Sequence, residues 1–142
     1  MKKLYRILTF GAALAAMVSC DLNKAPRFED CEQAFAAFDV TSMTIDETVG
    51  KISIPVTVAS LEPRTVSVAY SATDGTAKAG EHYVLADASA VLQFDGTQRT
   101  MNVDIDIKNL AGEYTGDLSF SISLVSAGDL TLGANNTCSV KI

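Results

Sequence analysis

From residue 34 onward, apolar and polar residues alternate with a period of two. Ile52, Ile54, Val56 and Val58 are interleaved with Ser53, Pro55 and Thr57. Val66, Val68 and Tyr70 alternate with Ser67 and Ala69. Met101, Val103, Ile105 and Ile107 alternate with Asn102, Asp104 and Asp106. Leu118, Phe120, Ile122 and Leu124 alternate with Ser119, Ser121 and Ser123. Successive side chains of a strand point to opposite faces, so each run predicts a half-buried strand with one wet face. Residues 91–94 and 138–142 read as shorter strands of the same kind. Phe38, Val40, Met43 and Ile45 predict a first strand, interrupted near Thr41-Ser42.

Turn-forming residues fall between these runs, at 46–50, Asp74-Gly75, Ala79-Gly80, Asp95-Gly96 and 133–136. About seven strands without an amphipathic helix predict an all-β fold, an immunoglobulin-like antiparallel β-sandwich over residues 34–142. Pro55 has no N–H to give to a ladder, so it predicts a bulge or an edge position. Residues 85–90 also read as a short helical turn. About twenty inward apolar side chains, Phe94 and Tyr83 among them, suffice for one core.

The first twenty residues have a different pattern. Lys2, Lys3 and Arg6 precede a run, residues 7–18, in which only Thr9 is polar. That run is shorter than the roughly 20 residues that span a bilayer. A basic start followed by a short apolar run is the pattern of a bacterial secretory signal peptide. Met17-Val18-Ser19-Cys20 resembles the lipobox of bacterial lipoproteins. The resemblance implies removal of residues 1–19 and lipidation of Cys20, with acyl chains such as palmitate holding the chain to a membrane. Residues 20–33 follow neither period and read as a tether. The expected location is the bacterial cell envelope, lipid-anchored at the outer membrane, on its periplasmic face or at the cell surface.

Charge and composition narrow the function. The 142 residues carry 17 acids and 11 basic residues, a net charge of −6. Loss of Lys2, Lys3 and Arg6 leaves eight basic residues against the same 17 acids, hence −9. Nucleic acid is excluded as a partner, because phosphate contacts need clustered Lys and Arg. One His and three Cys argue against a multi-ligand zinc site. An apolar fraction of 48% argues against disorder.

One stretch is more specific than alternation. It runs Val66-x-Val68-x-Tyr70-x-x-Thr73-Asp74-Gly75-Thr76-Ala77-x-Ala79-Gly80-x-x-Tyr83, then Leu92-x-Phe94-x-Gly96 and Val103-x-Ile105-x-Ile107. It resembles the Calx-β domain, an immunoglobulin-like module, and Glu47 before Gly50 resembles that family's acid after its first strand. By its residue types, Asp74 is expected to accept hydrogen bonds from backbone groups two residues on. Gly75 and Gly80 suit positive φ, and Tyr83 is expected to plug the loop by its ring with its hydroxyl at the surface.

The resemblance implies two classes of role. Some Calx-β domains bind calcium through converging carboxylates. The oxygen donors that remain here are Glu47, Asp74, Glu81, Glu113 and Asp117. Calcium takes six to eight oxygens. Where calcium-binding members carry a run of Asp, this chain has Lys108-Asn109-Leu110, and His82 stands in place of an Asp. The five acids are therefore either solvated loop residues or a weak calcium site. The family otherwise serves adhesion, spacing and protein–protein contact, here through an exposed sheet edge or the loop end holding Glu47, His82 and Glu113.

Other chemistry is sparse. Asp104 and Asp106 sit on one strand face and read as wetting acids rather than a catalytic pair. His82 reads as an inert surface-loop residue, and no Ser has a nucleophile elbow around it, so an enzyme and a cofactor are not expected. Cys31 and Cys138 are the thiols left after lipidation, either bridged in an oxidising compartment or, for Cys138, acting as a small buried hydrophobe. The expected role is a non-catalytic envelope lipoprotein for binding, adhesion or spacing, with an envelope protein as partner. The alternatives are an accessory glycan-binding lipoprotein of an uptake system, with Tyr114 as its aromatic platform, and a weak calcium module.

Overall fold

The alternation at Ile52–Val58 becomes strand β3 (Lys51–Ala59) in a computed structural model describing residues 34–109 and 116–142. Its even-numbered side chains are buried and its odd-numbered ones face outward, as a period of two requires. The same rule generates β4 (Thr65–Asp74), β6 (Val91–Asp95), β7 (Thr100–Ile107), β8 (Ser119–Ser126) and β10 (Thr137–Lys141). Four short strands complete the set: β1 (Phe35–Phe38), β2 (Ser42–Thr44), β5 (Tyr83–Leu85) and β9 (Thr131–Leu132). The only helical element among the described residues is a 3-10 turn, Glu47–Val49.

Two five-stranded sheets result, ordered β5-β7-β3-β1-β9 and β2-β10-β8-β4-β6. Their inner faces enclose one core, with Ile54, Val56, Val68, Val103, Ile105, Ile122, Cys138 and Val140 fully buried. The all-β sandwich of the sequence reading is therefore present. Its sheets are mixed, however: β1 pairs with β9, and β2 with β10, in parallel. The strand predicted over residues 38–45 is two strands in opposite sheets. The interruption near Thr41-Ser42 is the crossing between them, so the first segment runs alongside the last in both sheets.

Pro55 lies in an interior strand, yet its missing donor is tolerated. Asp39 N–H donates to the Pro55 carbonyl, and β1 has already ended at Phe38. On that flank β3 is locally an edge. Residues 85–90 are not helical: β5 ends at Leu85, and Asp87 accepts from Ser89 N–H and Oγ in a turn closed by Ala90 N–H on Asp87 O. Residues 1–33, which include the proposed signal peptide, Cys20, the tether and Cys31, lie outside the described residues.

Register fixes what each end carries. β3 begins, and β4 and β7 finish, at the end formed by residues 46–50, 74–83 and 116–118. The opposite end holds residues 60–64, 96–99 and 127–130, together with Ala34.

Candidate functional site

The motif Asp74-Gly75-Thr76-Ala77 leaves the end of β4 and turns across the rim. Asp74 Oδ1 accepts from Ala79 N–H at 3.0 Å and from the Tyr83 hydroxyl at 2.7 Å. The expected acceptance two residues on is thus replaced by bonds five and nine residues away, which bind the loop end to end. The Tyr83 hydroxyl does not reach the surface: the residue is 1% exposed, and its ring stacks on Phe120 at 3.9 Å between centroids. The chain turns back through Gly80 (φ 82), whose N–H donates to Tyr83 O, so the ring is carried inward beneath the loop.

Electrostatics follow from these contacts. The hydrogen bond from Tyr83, then that from Ala79, hold the Asp74 carboxyl below the usual carboxylate range. Burial, then the bond to Asp74, hold the Tyr83 hydroxyl well above the ordinary phenol range.

Gly75 is needed for a reason other than φ. It does not have positive φ, but a Cβ there would lie 2.4 Å from Ser119 O. The close approach lets Ala77 N–H donate to Ser119 O at 2.9 Å and Ser119 N–H donate to Thr76 Oγ1 at 2.8 Å. Thr76 thus ties the loop to the start of β8. The sequence reading missed this role, although Thr76 stands inside the motif.

His82 is buried, not a surface residue. Its Nδ1 accepts from Lys78 N–H at 3.0 Å, its own N–H donates to Lys78 O, and its carbonyl accepts from Lys108 N–H. The imidazole replaces a backbone acceptor in a tight turn, and nothing in the neighbouring residue types signals it. Lys108 Nζ also donates to Gly80 O, joining the end of β7 to the same turn.

The candidate oxygen donors that are described do not gather. Asp74 is occupied as described. Asp117 pairs with Lys141 Nζ at 2.6 Å. Glu47 sits in the 3-10 turn capped by Asp46, and Glu81 is exposed in the turn beside His82. Glu113 and Tyr114 lie outside the described residues. Among the described residues no group of three or more His, Cys, Asp or Glu could hold a metal ion. The described donors do not fit a calcium ion.

Away from the loop end, Asp104 accepts from Ser53 Oγ at 2.6 Å and pairs with Lys51 at 3.1 Å on the outer sheet face. It is a wet structural carboxylate, its pKa lowered by the Ser53 bond and then by Lys51. Cys138 is a free thiol, fully buried, with its pKa raised by burial. No helix among the described residues is long and apolar enough to cross a membrane.

Solved structures share this architecture. The apo form of the Calx CBD1 domain superposes with a TM-score of 0.70 at 23% identity, covering 78% of this chain and 96% of that one. The calcium binding domain CBD12 of CALX1.1 gives 0.68 at 23% identity, covering 75% of this chain and 44% of that one. A Bacteroides ovatus ATCC 8483 protein described as a candidate carbohydrate binding protein gives 0.57 at 11% identity, covering 75% of this chain and 36% of that one. At these identities the likeness is one of fold. No curated protein matches the chain. The Calx-beta domain family model matches residues 30–140, and the chain belongs to that family.

Proposed function

We propose that this chain is a non-catalytic, lipid-anchored Calx-beta module of the bacterial envelope that binds a protein partner without calcium. The observation that supports the reading is that described groups of the loop end are engaged with one another. Asp74 is occupied by Tyr83 and Ala79, Asp117 by Lys141, and the Gly80 carbonyl by the Lys108 ammonium. Among the described residues no three acids gather, so a calcium ion would find few of the six to eight oxygens that it takes.

The single histidine has its Nδ1 committed to a backbone N–H, which supports a binding role over acid–base chemistry. The anchor rests on the basic start, the apolar run and Cys20. Binding to glycans has weaker support: among the described residues Phe38, Tyr70, Tyr83, Phe94 and Phe120 are buried, leaving Phe35 at 39% exposure.

The test is affinity capture of the full chain from its native envelope, in calcium and in chelator. Recovery of the same partners in both supports the reading. Recovery only in calcium overturns it.

A further inference from the structure

The turn at residues 78–82 hangs on two side chains of different chemistry. The Asp74 carboxylate accepts from Ala79 N–H and from the Tyr83 hydroxyl. The His82 imidazole accepts from Lys78 N–H at 3.0 Å through Nδ1. Two consecutive backbone N–H groups are thus held, one by an imidazole and the next by a carboxylate. The backbone fixes the ring in place: His82 N–H donates to Lys78 O, and His82 O accepts from Lys108 N–H at the end of β7. The residue is 9% exposed, so little water reaches the ring to compete for its acceptor nitrogen.

We propose that His82 is a proton-operated latch, whose protonation releases the Lys78 N–H and loosens the turn while the Asp74 contacts stay closed. A neutral imidazole has one acceptor nitrogen and one N–H, whereas the imidazolium has two donors. The bond from Lys78 therefore requires a neutral ring with its proton on Nε2. A proton on Nδ1 would set donor against donor. The closed turn and the imidazolium exclude each other.

The pH range follows from the side-chain types. Imidazole ordinarily titrates near pH 6.5, whereas carboxylates and ammoniums do not ordinarily change charge between pH 7.5 and 5. Among the described residues the charged groups around the ring are Asp74 at the end of β4, Lys78 and Glu81 within the turn, and Lys108 at the end of β7. The Asp74 carboxylate favours the imidazolium, and the two ammoniums oppose it. Of this group the ring alone supplies a charge step in that range. The fold holds the neutral form, so the His82 contribution is complete above about pH 6.5 and is lost as pH falls below it. With the proton taken up only by the opened turn, a change from pH 7.5 to 5.0 multiplies the open population by about thirty.

The experiment follows amide hydrogen exchange of the full chain at pH 7.5 and 5.0 by NMR, each rate divided by its intrinsic value at that pH. The expected result is an approximately thirty-fold loss of protection at Lys78, with Ala79 unchanged. His82→Asn keeps an acceptor oxygen near the position of Nδ1 and cannot titrate, so Lys78 keeps its protection at both pH values in that variant. Equal protection of wild-type Lys78 at both pH values overturns the proposal, as does the same loss in His82→Asn. An equal loss at Lys78 and Ala79 overturns the independence of the two contacts. As a second measurement, the wild-type ring nitrogens at pH 7.5 show the proton on Nε2. A proton on Nδ1 at that pH overturns the proposal without any variant.

Discussion

The Tyr83 hydroxyl and the Asp74 carboxylate, nine residues apart, form a 2.7 Å hydrogen bond that closes the loop over the end of the sandwich. Its strength depends on pH at both extremes, because both partners titrate. The Asp74 pKa is lowered in the fold, so its contribution is complete above the unfolded value near 3.9 and is lost as pH falls through the folded value. The Tyr83 pKa is raised, so its contribution is complete below about pH 10 and is lost as pH rises through the folded value. Thermal melts of wild type and Tyr83→Phe therefore differ by a constant amount across neutral pH, and the gap narrows in strong acid and strong alkali. An unchanged gap at both extremes contradicts the linkage. Tyr83→Ala also removes the ring from Phe120 and costs about 3–5 kcal/mol by denaturant unfolding.

Two glycines of the same loop are expected to fail for different reasons. Gly80→Ala keeps its surroundings but strains φ 82, at a cost of about 1–2 kcal/mol. Gly75→Ala drives a methyl into the Ser119 carbonyl, a backbone atom that cannot swing aside. Urea midpoints should fall further for Gly75→Ala than for Gly80→Ala. The reverse order would show that the rim can move away from Ser119.

Cys138 faces the core from β10, opposite Ile122. With no exposed surface and a raised pKa, it presents little thiolate to reagents. A thiol-reactive dye should label it in the unfolded chain and not in the native one. Native labelling at this position would contradict its burial. Cys138→Ala should cost on the order of 1 kcal/mol, as for other small core truncations.

The strands were legible in the sequence because burial on one face writes itself as alternation: Ile52, Ile54, Val56 and Val58 are all inward. Contacts that join distant segments were not. Gly75 reads as a turn glycine because Asp-Gly is turn chemistry, and only the position of Ser119 reveals the close approach. His82 sits between Glu81 and Tyr83 in a Gly-containing loop, which suggests exposure, yet the Lys78 N–H, four residues earlier, holds its ring nitrogen inside. In the sequence Lys108 stands out only as a side chain unfit to ligate calcium, because its bond to Gly80 depends on where β7 ends relative to the 78–82 turn. The parallel flanking pairs, β1–β9 and β2–β10, were hidden because a strand's alternation does not state the direction of its neighbour.

The central claim is that the loop end is held shut by its own side chains rather than by calcium. The most direct measurement is the melting temperature of the intact chain in excess chelator and in about 5 mM calcium, where a site with a Kd of about 0.05 mM would add roughly 2.7 kcal/mol of stability. The account predicts coincident melting curves. A rise of several degrees in calcium would contradict it.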